Sequence, residues 1–487
     1  MDKGSRVLAR LMLGLFALLL VLALLLGVFG HGAHRSYMAA FAGAAVLLGL
    51  GLFLWPRIRA RARPVVEGWG AGRTGLALTA LCLLLHLAWV LVFRLEPDGD
   101  YQTFWMTATA LGRGQPLQNP DYVAMFPHIL GYGAFLGLFV RLFGAGPLLA
   151  PLVNVGLTTL SGLLLYGLLL RRRGLWPAAC GYLLWCVHPS IILYNTMVLS
   201  EPYYTCLLLA FLALMSLADR FFAGEERCLP APVILGAVSG ALLWGVNAAR
   251  PIGAVPIIAL AIWLVLLRGE CLKNHRQNGA WLLLVVVMLA VYVPLGKLWH
   301  GYATEKLGEE PASAPGYSLY VGFNPESMGT YSNEDMDLLV EYRYGQGHTA
   351  EEAQQMMLQQ ARERVRSGQI PFGRLLLEKI RSFMGNDEGG AYYSRLQLEP
   401  THYSLLALGS NIWYYVLAFL CLAATFRWGR SGKMDILLLA PLYVLGLTMA
   451  QMLVEVAGRY HYSIIPMLIL VTCAGQIGKD SQEIDRR

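Results

Sequence analysis

Charge is what this chain has least of. Asp, Glu, Lys and Arg make up only 14% of its 487 residues, against 56% hydrophobic ones, and the mean hydropathy is +0.51. A soluble domain carries about 25% charged residues, so the shortage excludes that class and implies a membrane protein. Cysteine is present without pattern: no CxxC pair occurs, and Cys82, Cys180, Cys186, Cys206, Cys421 and Cys473 lie inside apolar runs. A disulfide framework and a zinc site are therefore not expected. The chain also lacks a P-loop, an HExxH pair, EF-hand spacing, an Asn-x-Ser/Thr sequon and any visible internal repeat. Those absences remove the commonest nucleotide, zinc-protease and calcium signatures. The net charge of +7 comes without aromatic-interleaved basic stretches, so nucleic acid is not an expected partner. Arginines and lysines in cytoplasmic loops produce the same excess.

What the chain has instead is apolar runs. A membrane crossing needs about 20 apolar residues. Runs of that kind occupy 7–30, 36–55, 74–95, 146–170, 174–193, 198–218, 231–249, 251–268, 280–300, 404–426, 434–454 and 459–477. The first begins with basic residues like a signal peptide, but its apolar run is long and no small-residue cleavage site follows, so a retained anchor is expected. The stretch 126–144, FPHILGYGAFLGLFVRLFG, is ambiguous by length, and charge resolves it. The basic loops 56–64, 171–174, 268–276 and 427–433 belong on the cytoplasmic side, and all four reach it only if 126–144 lies in the outer interface.

The expectation is an all-α polytopic membrane protein with about 12 transmembrane helices, 13 if 126–144 crosses, and with cytoplasmic N- and C-termini. Juxtamembrane helices would fill the first large outer loop. The chain then divides into an N-terminal transmembrane hairpin with its basic loop (1–73), a transmembrane module (74–300), an extracytoplasmic segment (301–403), and C-terminal transmembrane helices with a short tail (404–487).

That topology collects the unusual polar residues at one depth on the outer side. Asp98 and Asp100 lie in EPDGDY just after the third run, and Glu201 opens a run in NTMVLSEPYYT. Arg250 sits in NAARPIG between two runs; Glu455, Arg459 and Tyr460 lie in VEVAGRYHY; His188 closes WCVHPS. His128 starts the 126–144 stretch, and Lys379 lies in LLLEKIRSFMG. Ionisable groups at membrane depth are costly and usually functional. Each also has a plain structural use. Asp100 suits a helix N-cap, Arg250 and Arg459 suit headgroup anchors, Lys379 suits the solvated face of an amphipathic helix, and His128 suits a helix start. Asp335 and Asp337 in EDMDLL share the spacing of Asp98 and Asp100 and are expected to face water. The helix after Asp100 puts Tyr101, Phe104, Trp105, Ala108 and Leu111 on one face, expected to lie in the membrane interface. Several carboxylates and arginines converging at one level still read as a site.

Five stretches in order, DYQTFWMTATALGRG, FPHILGYGAFLGLFVRLFG, VHPSIILYNTMVLSEPYYTCLLLAFLAL, GALLWGVNAARPIGAVP and EVAGRYHYSIIPML, resemble the GT-C membrane glycosyltransferases. The branch they resemble is that of the protein O-mannosyltransferases and lipid A aminoarabinose transferases (family 39-like). The match covers 74–300 well and 404–477 loosely, and SEPYYTCLLL followed by ARPIG is its most specific part. The resemblance implies a GT-C fold with 74–300 as its catalytic module. It also implies a hexosyl- or pentosyltransferase of the cell envelope, active on the extracytoplasmic face of a bacterial plasma membrane. Its donor would be a polyprenyl-phosphate-linked sugar, and its acceptor a cell-surface glycan, lipid or protein. Carried over residue by residue, the family's catalytic aspartate falls on Asp100. Its second acidic residue falls on Glu201, where the aminoarabinose transferases have Asp. PDGDY stands where many relatives carry an adjacent acidic pair, which keeps Asp98 a second candidate.

In that chemistry Asp100 accepts the acceptor hydroxyl's proton as attack proceeds, and a single displacement inverts the anomeric centre. Arg250 first, then Arg459 and Lys379, hold the donor phosphate and stabilise its leaving charge. Glu201 orients the acceptor, or joins Asp100 around a divalent metal ion. His128, His188, Tyr460 and Glu455 are further candidates. A transporter or flippase of lipid-linked sugars is the alternative from another class, and a polysaccharide polymerase or ligase the alternative within GT-C. The inverted repeats and broken midplane helices that mark transporters are not visible in the sequence.

Overall fold

The structure, a computed structural model, describes residues 3–30, 35–223, 230–268, 275–431 and 435–475. Among them every regular element is a helix. Seven helices are long and apolar enough to cross a membrane: Lys3–Phe29, Arg35–Val92, Leu149–Arg173, Glu201–Ala223, Pro230–Ala249, Gln277–Leu307 and Pro400–Ser431. Shorter apolar helices (His128–Phe143, Leu175–Cys186, Ala254–Leu267 and Ile436–Gln451) pack among them. In hydrocarbon only a helix or a closed barrel satisfies its own backbone polar groups, and this sequence takes the first route throughout. The chain is an all-α membrane protein.

Two features differ from the sequence reading. The basic stretch 56–73 is helical: Arg35–Val92 runs through it and breaks at Gly70, where φ is 72°. The last run yields only Ile464–Ala474, 11 residues, every one buried. At 1.5 Å per residue it is about 16 Å long, an element enclosed by other helices instead of facing lipid.

The two ends of the bundle differ in chemistry. At one end Arg173 donates to Asp435 at 2.6 Å and to the Ala474 carbonyl at 3.1 Å, and Arg172 pairs with Asp219 at 2.9 Å. Arg10 reaches the Gly429 carbonyl at 3.1 Å there, and the Tyr166 hydroxyl reaches that of Ala71 at 2.7 Å. At the other end Tyr37 donates to Glu388 at 2.8 Å, and Gln397 exchanges hydrogen bonds with the backbone of Glu96 at 2.7 and 2.8 Å.

Leu149–Arg173 finishes at the arginine-rich end, so it starts at the opposite one, where His128 also meets Phe104 with rings 6.3 Å apart. His128–Phe143 is therefore a hairpin partner of the helix Asp100–Arg113. The two approach through glycines. A Cβ on Gly112 would stand 2.7 Å from the Gly137 carbonyl oxygen, and one on Gly137 would stand 3.1 Å from that of Ala108. No larger residue allows that backbone contact.

Basic loops favour the cytoplasm, so the arginine-rich end is expected there. An impermeant maleimide should label Arg113→Cys from outside and leave Gly68→Cys unlabelled until the membrane is opened. The reverse pattern would invert the topology.

Candidate active site

Asp100 sits in the first turn of Asp100–Arg113. Gly99 precedes it at φ 54°, a left-handed conformation that suits glycine. The helix closes at Gly114, φ 67°, with the Gln115 N–H returning to the Ala110 carbonyl at 2.8 Å. Asp100 does not cap the helix; that position belongs to Gly99, whose N–H is taken by Asp98 Oδ1 at 2.8 Å. The apolar face meets protein, not the membrane interface. Tyr101, Phe104 and Ala108 are buried, with Phe104 5.3 Å from the Tyr132 ring and Tyr101 6.0 Å from that of Tyr393. Periodicity identifies an apolar face but not what covers it.

The second component is the short turn Gly458–His461. Arg459 Nη2 donates to Asp100 Oδ2 at 2.5 Å. Its guanidinium also stands 5.2, 5.5 and 5.6 Å from the ring centres of Tyr393, Tyr460 and Tyr101. Such contacts stabilise a cation most where water is excluded. Arg250 follows Pro230–Ala249 and stacks on the other neighbour, Tyr460, at 3.9 Å. It has no ion-pair partner among the described residues. Burial opposes its charge, but Tyr460, Glu201 and Tyr204 outweigh that and hold its pKa up.

The carboxylates divide by environment. Burial works to raise Asp100, but Arg459, through charge and hydrogen bond, with Arg250 beyond, holds it below the ordinary 3.8. Burial pushes Glu455 up, against the pull of Arg459 and Arg250. Burial and then Arg250 bring His128 down to about 3, so its imidazole is neutral. Glu201 heads its helix at 2% exposure, with only the Ser200 hydroxyl at 3.5 Å. Buried polar atoms are normally paired, yet Arg459 Nε and the Tyr101 hydroxyl have no protein partner.

The structure thus brings together Asp100, Arg459, Arg250, Tyr460, Glu455 and His128, with Glu201 acting on Arg250. It does not bring Asp98, whose side chain is exposed beside Tyr101, Thr196 and Gln397. Lys379 is not on a solvated face. It has 0% exposure and donates to the carbonyls of Gly322, Met452 and Val454 at 2.8, 3.0 and 2.8 Å, which engages all three of its hydrogens. His188 lies 3.6 Å from the buried Asp387, whose carboxylate also holds His461. Asp335 is not in water either: it is 3% exposed and pairs with Arg364 at 3.0 Å. A divalent ion does not fit these residues. Asp100 is engaged by Arg459, and among the described residues no three His, Cys, Asp or Glu side chains gather.

Three participants escaped the sequence reading: Tyr393, Asp387 and His461. Asp387 accepts from the Ser190 hydroxyl at 2.6 Å and from Nε2 of His461 at 2.8 Å, and His461 is two positions along the chain from Arg459. The signal for His461 was present, in the same GRYHY that carries Arg459.

No family model matches this chain, and no curated protein matches it. Among solved structures it is similar to the archaeal oligosaccharyltransferase AglB from Archaeoglobus fulgidus, in complex with an inhibitory peptide and a dolichol-phosphate. The identity is 10% and the TM-score 0.47, over 85% of this chain and 51% of that one. The chain spans about half the length of that protein. It is also similar to ArnT from Cupriavidus metallidurans bound to undecaprenyl phosphate, at 14% identity and TM-score 0.36, over 84% of this chain and 79% of that one. The functional reading rests on the residues of this chain.

Removing Asp387 leaves buried donors unpaired, at about 1–3 kcal/mol for such a group. Asp387→Ala should lower the thermal unfolding midpoint in detergent, and Asp387→Asn should lower it less. An unchanged midpoint in both would show that the buried network contributes nothing.

Proposed function

We propose that this protein is a GT-C-type membrane glycosyltransferase. It transfers a sugar from a polyprenyl-phosphate carrier to an acceptor hydroxyl at the outer face of the plasma membrane. The observation that carries this reading is Arg250, a guanidinium stacked on Tyr460 without a carboxylate, beside the ion pair Asp100–Arg459. Glu201 supports the charge from a distance but makes no direct ion pair with it, and a phosphate at the membrane boundary supplies one. The planar guanidinium fork matches two phosphate oxygens.

In this reading the donor phosphate lies between Arg250 and Arg459 and draws Arg459 away from Asp100. The freed carboxylate accepts the proton of the acceptor hydroxyl. The hydroxyl oxygen bonds to the anomeric carbon, the bond from that carbon to the phosphate oxygen breaks, and its electron pair stays on the phosphate, stabilised by the arginines. Attack opposite the leaving group inverts the anomeric centre. Glu201 orients the acceptor. A lipid carrier fits an outer-face site, since nucleotide sugars are cytoplasmic.

In nanodiscs, the protein should convert a polyprenyl-monophosphate sugar to free polyprenyl phosphate when given an outer-surface acceptor. Asp100→Asn should lower turnover by about 10²- to 10⁴-fold in folded protein, and Asp98→Asn by less. Turnover of a nucleotide sugar without lipid would overturn the donor. Movement of the lipid-sugar across sealed vesicles without turnover would make the protein a flippase.

The pH profile carries a second expectation. The depressed Asp100 is ionised above its pKa and loses function as pH falls through it. The acid limb of kcat/KM, which reports the free enzyme, should lie below the ordinary aspartate value of 3.8. The limb of kcat, with Arg459 drawn to the phosphate, should lie at higher pH. Coincident limbs would contradict the exchange of partners.

A further inference from the structure

Beside the Asp100 helix the surface holds a cleft of about 430 Å³, lined by Thr103, Gln118, Asn119, Asp121, Tyr122 and Tyr344. Small-molecule sites run from about 300 to 1,000 Å³ and favour seams between structural units. This cleft is such a seam. Thr103 lies one helical turn from Asp100, and Tyr122 belongs to the next short helix, Pro120–Met125. The opposite wall is Tyr344, in the turn Glu341–Gly345 of the outer segment. Arg343 closes the seam from behind, 3.1 Å from Asp121, while also bonding Glu309 and the His348 carbonyl. The inner wall is within electrostatic reach of Asp100: the Tyr122 phenol is pushed up by burial first and by the Asp100 charge next.

The lining has a consistent chemistry. Gln118 and Asn119 each offer amide donors and an acceptor, Thr103 and the two tyrosines offer hydroxyls, and Asp121 accepts. The tyrosine rings add flat apolar faces. No lysine or arginine lines it, so a phosphate finds no cation. It is too polar for an acyl chain. A peptide that adds as a strand takes its affinity from main-chain pairing with a sheet edge, which a compact cleft of side chains does not provide. A neutral ligand dense in hydroxyls, with C–H faces between them, matches every group present.

We infer that this cleft is the acceptor subsite and that the acceptor is a neutral glycan, one of whose sugar hydroxyls is presented to Asp100. The inference rests on the transferase reading for the reaction, but the carbohydrate site itself can be tested apart from it.

The test is saturation-transfer NMR on the full-length protein in nanodiscs. The probes are cellobiose, lactose, mannobiose and chitobiose, with a Ser/Thr-rich decapeptide alongside. At least one disaccharide should bind. Its affinity should fall by about tenfold or more in Gln118→Ala/Asn119→Ala and in Tyr344→Ala, roughly the loss of one or two hydrogen bonds or a stacking face. Retention of undecaprenyl phosphate by these variants shows that they remain folded. The inference is overturned if none of the four disaccharides binds, or if binding is equal in the variants. It is also overturned if the peptide binds and is lost in them. Disaccharide binding in a wild-type protein that does not retain undecaprenyl phosphate would keep the carbohydrate site and remove the transferase reading.

Discussion

Asp387 has no solvent exposure, and its carboxylate accepts hydrogen bonds from Ser190 and His461 while its own N–H donates to Asn411 at 2.8 Å. A buried carboxylate persists only when its lone pairs are filled; here two separate parts of the chain fill them and a third accepts from the residue's own N–H. Ser190 belongs to Pro189–Tyr194, Asn411 to Pro400–Ser431, and His461 to the turn that carries Arg459. Glu388 extends the same knot to Asn411 and Tyr37. The position of Arg459 against Asp100 depends on this arrangement, because the anchored His461 lies only two positions along the chain from Arg459.

Lys379 plays the matching part at the other end of the stretch 452–461. Its ammonium gathers the carbonyls of Met452 and Val454 with that of Gly322. Glu455, Arg459 and Tyr460 are thus carried on a segment clamped at both ends, and both clamps come from the outer segment 301–403. Gly389 lies close to the same segment: a Cβ there would collide with the Tyr194 hydroxyl and stand 3.4 Å from the Arg459 backbone nitrogen. Segment 301–403 is therefore built into the site. It also supplies Tyr344 to the cleft beside Asp100. One segment thus positions Arg459 and supplies one wall of the proposed acceptor site.

The membrane helices were legible because hydropathy and length carry that information locally; the pairing of 126–144 with the Asp100 helix was not, since the charges of distant loops bear only on whether that stretch crosses. Asp100, Arg250, Arg459 and Glu455 stood out as ions in apolar surroundings, and the structure gathers them. The rest failed for a common reason. Asp387 lies in NDEGG within a polar segment, so nothing local shows that it is buried. Its partner His461 is 74 positions away. Lys379 and Asp335 were assigned to water because amphipathic spacing shows two faces without showing that a neighbouring element covers the polar one. Tyr101 and Phe104 were assigned to the membrane interface for the converse reason. Burial created by contacts distant in sequence is what a local pattern does not contain.

In the proposed site two half-buried arginines, one without an ion pair and one borrowed from Asp100, form a seat for a lipid phosphate. Native mass spectrometry of the protein with undecaprenyl phosphate tests it directly. The wild type should retain the lipid. Arg250→Ala should lose it and Arg250→Lys should recover only part, because lysine keeps the charge but not the planar fork. Equal retention by wild type and Arg250→Ala, with both folded, would contradict the account.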